Sequence, residues 1–223
     1  MPVQRSGGDA TPAEGVVVSR VFDAPRDLVF EVWTQAEHFT RWFGPHGAEI
    51  VACELDARPG GIIRFGHRFR EGTVYLKGTF TEAVQDERLV FTFGFVDEHG
   101  VPVRPPMFPD WPLDASIETI VTLDDVDGGT KVTVAHRVLP PDAASHPAAK
   151  RWSPMAREGA MQVFDRLGEH LSMATTRKES VHSMSLRRAQ NEVETHPTDP
   201  PQAPLDVPDQ EAIQRDRSPM FLD

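Results

Sequence analysis

Cysteine is almost absent: Cys53 is the only one in 223 residues, so neither an internal disulfide nor a cysteine-built zinc site can form. A reducing cytoplasm suits such a chain. No stretch approaches the roughly 18 consecutive apolar residues of a membrane helix, and the opening residues lack the apolar run of a secretory signal. The chain therefore reads as soluble and unexported. Positive charge is also scarce, with 23 Lys and Arg against 34 Asp and Glu and a net charge of -11. That balance repels phosphate backbones and anionic membrane surfaces, which disfavours general nucleic-acid binding. No GxGxxG or GxxxxGKS/T loop is present to cradle a nucleotide. The 9 histidines show neither an i, i+4 helical pair nor an HExxH spacing, so neither a metal nor a cofactor is expected. There is no Gly-x-Ser-x-Gly elbow, and nucleophilic catalysis has no support.

What is there is unevenly spread. Hydrophobic residues make up 39% of the chain, and they are concentrated in its middle. The ends hold few of them. Residues 1–14 are small and polar and offer no apolar surface to offset ordering entropy, so they are expected to form a flexible leader. Residues 175–223 are likewise expected to be a disordered tail, without Trp or Tyr and with a single Phe221. Within it, Glu179 to Glu194 carries Leu186, Val193 and the pair Arg187 and Arg188. That stretch is able to form a transient helix on a protein partner, but its apolar face is too thin to fold alone.

Residues 15–174 hold the patterned sequence. Val16 to Phe22 is apolar and β-branched, and reads as a strand. Asp23-Ala24-Pro25 then looks like a helix start, with Leu28, Val29, Val32 and Trp33 at helical spacing. Thr34 and Glu37 have the spacing of a capping box for a second short helix, carrying Phe39, Trp42 and Phe43 before Gly44-Pro45 stops it. From Glu49 the period drops to two. Strands are predicted at 48–56, 61–69, 73–84, 88–96, 115–124 and 130–139, separated by glycine-bearing turns and by Asp86-Glu87. Ser153 as N-cap and Pro154 as first residue open a long helix, with Ala160, Val163, Phe164, Leu167 and Leu171 on one stripe. Strands and helices are segregated, which predicts an α+β fold: seven antiparallel strands covered by one long helix.

Five stretches, in order, resemble one family. These are Arg20 to Pro25 with Val29-Phe30 and Val32-Trp33-Thr34; Arg41-Trp42-Phe43-Gly44-Pro45; Asp56-Ala57-Arg58-Pro59-Gly60-Gly61; Arg88-Leu89-Val90-Phe91-Thr92; and Gly129-Thr130. The chain from Val16 to Leu171 is identified as similar to the activator of Hsp90 ATPase homologue (AHSA1-like) type, within the START-like or SRPBCC superfamily. The resemblance implies the helix-grip fold, in which a curved antiparallel sheet and two short helices grip the long C-terminal helix around a mostly apolar cavity. One departure is Gly159-Ala160-Met161, where the family often has Gly-Trp. Loss of that ring implies an enlarged or reshaped pocket.

Within that frame, parity places Ile63, Phe65 and His67 on one face of a strand, and Phe91, Phe93 and Phe95 on one face of another. Such a face serves an ordinary core as well as a cavity. Ligand contacts are expected from Trp33, Phe39, Trp42, Phe65, His67, Phe93, Phe95, Met107, Trp111, Met161 and Phe164. His67 is placed to donate to a ligand or relay a proton, or else is a satisfied structural histidine. His136 lies in register with Val132 and Val134, and opposite Glu118 the two would make an acid–base couple. Tyr75, the one tyrosine, could offer its hydroxyl, although a strand tyrosine usually packs. The loop 101–114 has five prolines with Met107, Phe108 and Trp111, and is expected to be a lid over the cavity mouth or a loop packed on the sheet edge.

The leading expectation is a binder of a small hydrophobic molecule of lipid, polyketide or aromatic type, without nucleic acid or membrane insertion. A polyketide cyclase- or dehydratase-type enzyme using the same cavity, or a module that contacts a chaperone or another protein, are the alternatives. Oligomeric state is not legible.

Overall fold

A computed structural model describes residues 15–195. In chain order the elements are β1 (Val16–Phe22), α1 (Arg26–Thr34), α2 (Ala36–Trp42), β2 (Glu49–Leu55), β3 (Ile62–Phe69), β4 (Gly72–Val84), β5 (Arg88–Val96), β6 (Ser116–Val126), β7 (Gly129–Leu139), a 3-10 turn at Ala143–Ser145, and α3 (Pro147–Thr195). The expected strands are all present. They form one antiparallel sheet in the order β1-β7-β6-β5-β4-β3-β2, so every neighbour but β1 is joined by a hairpin. Register shifts between Val51 and Glu54 and between Phe80 and Glu82 mark bulges, which bend strands and deepen the curl of the sheet. Gly78 permits the closest approach in this ladder. A Cβ there would lie 1.6 Å from the Thr92 carbonyl oxygen of β5.

Alternation sends Ile63, Phe65, Leu76, Phe91, Ile117, Val121 and Val132 to the concave face, where all are buried. Leu167 and Leu171 of α3 cover that face, and Phe164 meets Phe22 edge-on at 5.5 Å. Across one end of the sheet, α1 and α2 lock together through Trp33 and Trp42, whose rings are 4.7 Å apart. Trp42 also donates its indole N–H to the Val32 carbonyl at 3.0 Å.

Three local signals resolve differently from expectation. The Thr34 hydroxyl does not cap α2; it donates back to the Phe30 carbonyl at 2.8 Å, the helix-internal bond that competes with capping in threonine. Ser153 and Pro154 do not open α3 either. The helix starts at Pro147, where the Ala148 N–H donates to His146 Nδ1 at 3.2 Å, while the Ser153 hydroxyl donates to the Ala149 carbonyl. Pro154 is thus interior and removes one helical bond. Tertiary packing overrides it, since Trp152 of the preceding turn is buried with its ring 6.1 Å from that of Trp111.

The chain divides into two compact units at Ser180 and Val181. Helix α3 runs through Thr195, so residues 175–195 of the expected coil are helix; within the first unit Lys178 pairs with Glu31 at 3.0 Å. The expected leader, 1–14, and the rest of the expected tail, 196–223, lie outside the described residues.

Gly78→Ala should therefore break the β4–β5 ladder and lower stability by about 3 kcal/mol or more, read as a shift of the urea midpoint. A loss under about 1 kcal/mol would contradict the backbone contact.

Candidate functional site

Between the concave face and α3 lies a cavity of about 730 Å³, within the roughly 300–1,000 Å³ usual for small-molecule sites. Its wall is aromatic: Trp33, Phe65, Phe93, Phe95 and Phe164 line it, joined by Phe43, Phe69, Phe108 and Trp152. The exposed lining residues Glu71, Gly72, Pro106, Met107, Met155 and Glu158 form the mouth. Ala160 lines the wall in the position where the resemblance led one to look for a large ring.

Two histidines face this space from opposite wings of the sheet. His67 stacks on Phe43 at 5.9 Å, and its Nε2 is buried without a hydrogen-bond partner. Gly44, at φ +127, passes so close that a Cβ there would be 3.1 Å from His67 Nε2 and 3.4 Å from Arg166 Nη1. Burial, then the neighbouring Arg166 charge, drives the His67 pKa down to about 4. Arg166 itself donates to the carbonyls of Gly44, Pro45 and Ala48 at 3.0, 3.2 and 3.1 Å, and to that of Arg41 at 3.3 Å. His136 shares a 2.9 Å hydrogen bond between Nδ1 and the Thr119 hydroxyl, and burial brings its pKa to about 4 as well. With β6, β5 and β4 between their strands, the rings stand four strand spacings apart, about 19 Å along the sheet.

The other expected site residues lie outside the cavity lining. Glu118 pairs with Arg137, not His136, in the β6–β7 register, and is ion-paired to it. That one-residue offset puts it on the opposite face from Thr119. Tyr75 also points outward, because its neighbours Val74 and Leu76 take the inner face. Its ring covers Gly66, whose Cβ would come within 2.9 Å. Phe39 and Trp42 are buried behind Phe43, stacked with it at 4.1 Å and edge-on at 5.5 Å. Met161 is 42% exposed on the outer side of α3. Trp111 is the peg of its loop: it is 1% exposed, between Phe95 and Trp152. Asp110 pairs with Arg151 beside it. The loop is thus fastened to the start of α3, and only Pro106, Met107 and Phe108 reach the cavity.

Thr119, Phe43, Trp152 and Arg166 carry the site without having been singled out. Thr119 had a readable signal: the two-residue turn Asp127-Gly128 pairs Val126 with Gly129, and counting back pairs Thr119 with His136. Trp152 was hidden by placing the helix start one residue after it. On the far side of α2, His38 Nδ1 and His170 Nε2 are 2.9 Å apart and join α2 to α3. Burial, then the charges of His38 and Arg41, lower the His170 pKa.

An antiparallel sheet wrapped on a long C-terminal helix, with a cavity between them, defines a helix-grip protein of the START-like class. The sequence profile of the family described as "Activator of Hsp90 ATPase homolog 1-like protein" matches residues 23–172, and the chain belongs to that family. Solved structures share the fold. A protein from Chromobacterium violaceum is 21% identical with a TM-score of 0.54, covering 70% of this chain and 96% of its own. One from Nitrosomonas europaea is 22% identical with a TM-score of 0.57, over 73% and 96% of the two chains. The AHSA1 protein of Silicibacter pomeroyi is 18% identical with a TM-score of 0.57, over 72% and 99%. No curated relative matches the chain.

The cavity histidines make stability depend on pH. Unfolded histidine titrates near 6.5 and the folded rings near 4, so between those values the unfolded chain binds more protons. Stability is full above about pH 6.5 and falls as the pH drops toward 4. Between pH 7.5 and 5, wild type should lose about 2 kcal/mol more than His136→Leu in urea melts. Equal losses would show that His136 is not held neutral.

Proposed function

We propose that the protein binds a small, mostly apolar molecule of lipid, polyketide or aromatic type in this cavity, in the cytoplasm. The cavity itself carries the reading. Its mouth is open, so water occupies the space whenever no ligand does. Water is a poor filler where aromatic rings dominate the wall and the two histidines stay neutral, while an apolar ligand gains about 25 cal/mol for each Å² it buries. An acid–base couple finds little support, because His67 and His136 stand on strands separated by three others in the sheet and Glu118 lies outside the lining.

Ala160→Trp tests the reading by putting a ring back into the cavity. The neutral dye Nile red should bind the wild-type chain with a fluorescence rise, and the variant at least about tenfold more weakly, with no fall in the urea midpoint. Equal dye binding by both proteins, or none by the wild type, would contradict it.

A further inference from the structure

The chemistry of the cavity wall narrows the ligand class. Among the described residues that line it there is no Lys and no Arg. The guanidinium of Arg166, whose charge acts on His67, donates to four backbone carbonyls and is not part of the lining. Two carboxylates, Glu71 and Glu158, stand at the mouth. An anionic ligand would meet negative charge on entry and no cation inside.

Away from the mouth, the buried wall holds an oriented polar pair, Thr119 and His136. Thr119 is 2% exposed, and among the described residues the one acceptor within reach of its hydroxyl hydrogen is His136 Nδ1, at 2.9 Å. Of the two tautomers of His136, the one in which Nδ1 accepts gives the buried Thr119 hydroxyl its acceptor. A neutral imidazole that accepts at Nδ1 carries its proton on Nε2. His136 is neutral at physiological pH, since burial holds its pKa near 4. The Nε2–H, on a ring that lines the cavity 6.2 Å from Trp152, is then a donor with no partner among the described residues. His67 offers no comparable atom at Nε2, which is covered by Gly44.

We infer that the cavity selects an uncharged ligand bearing a carbonyl-like oxygen, which accepts a hydrogen bond from His136 Nε2 while Thr119 fixes the tautomer of the ring. This rests on the ligand-binding reading and adds to it a charge class and an anchoring atom. Carboxylates of the same shape are rejected. His136 binds the ligand directly, and Thr119 is a positioning residue acting through it.

The test is displacement of Nile red from the full chain by three molecules of one shape: 2-acetylnaphthalene, 2-ethylnaphthalene and 2-naphthoate. The ketone should compete about tenfold better than the hydrocarbon, as one added hydrogen bond allows, and better still than the carboxylate. Thr119→Val, close to isosteric, and His136→Leu should both shrink the ketone-to-hydrocarbon ratio toward one. If ketone and hydrocarbon compete equally, if the carboxylate matches the ketone, or if both variants keep the preference, the inference falls while the cavity remains a ligand site. Failure of dye and all three competitors to bind would overturn the ligand-binding reading, and this inference with it.

Discussion

The guanidinium of Arg166 is the contact on which the site depends. From α3 it donates to the carbonyls of Arg41, Gly44, Pro45 and Ala48, gathering the end of α2 and the loop into β2 onto the long helix. Hydrogen bonds from a charged donor are worth about 1.5–3 kcal/mol each, less when several share one side chain. Their effect is geometric as much as energetic. They place Phe43 and Pro45 in the cavity wall and hold the backbone of Gly44 against His67, where a side chain would crowd the ring. The Gly-Pro that stops α2 is thus also what the Arg166 clamp requires. His38 and His170 join the same two helices, so α2 is fixed to α3 at two points.

With α2 held, the helix can grip the sheet without filling it. Leu167, Leu171 and Phe164 bury one stretch of α3, and the slimmer Ala160 and Gly159 leave the concave face uncovered toward the mouth. The Pro-rich loop does the complementary work from the opposite rim. Its Trp111 sinks between Phe95 and Trp152, which leaves Met107 half-exposed at the entrance. Flexible methionines at an entrance adapt to ligand shape at little cost.

The sheet was legible because alternation and turn residues agree at every hairpin, and because Gly-rich turns fix where one strand stops and the next begins. The family motifs added the helix-grip closure, which alternation alone does not dictate. Side-chain roles were harder. Phe39, Trp42 and Trp111 are aromatic in the right elements, yet whether a ring faces a cavity or stands behind one depends on helix rotation and loop path. Glu118 missed by one residue of register, which on a strand is the whole difference between faces. Met161 missed by the one-position turn of a helix that begins six residues before its expected N-cap. Arg166 had no signal in its own sequence neighbourhood, since its partners are carbonyls over a hundred residues away.

The most direct test of the account is methyl NMR of the methionines during titration with Nile red. Met107 and Met155 line the mouth, whereas Met161 and Met173 are exposed elsewhere on α3. Saturable shifts are expected at Met107 and Met155, with Met161 and Met173 unmoved. Shifts led by Met161 or Met173, or none at the mouth while the dye binds, would place the ligand outside this cavity and contradict it.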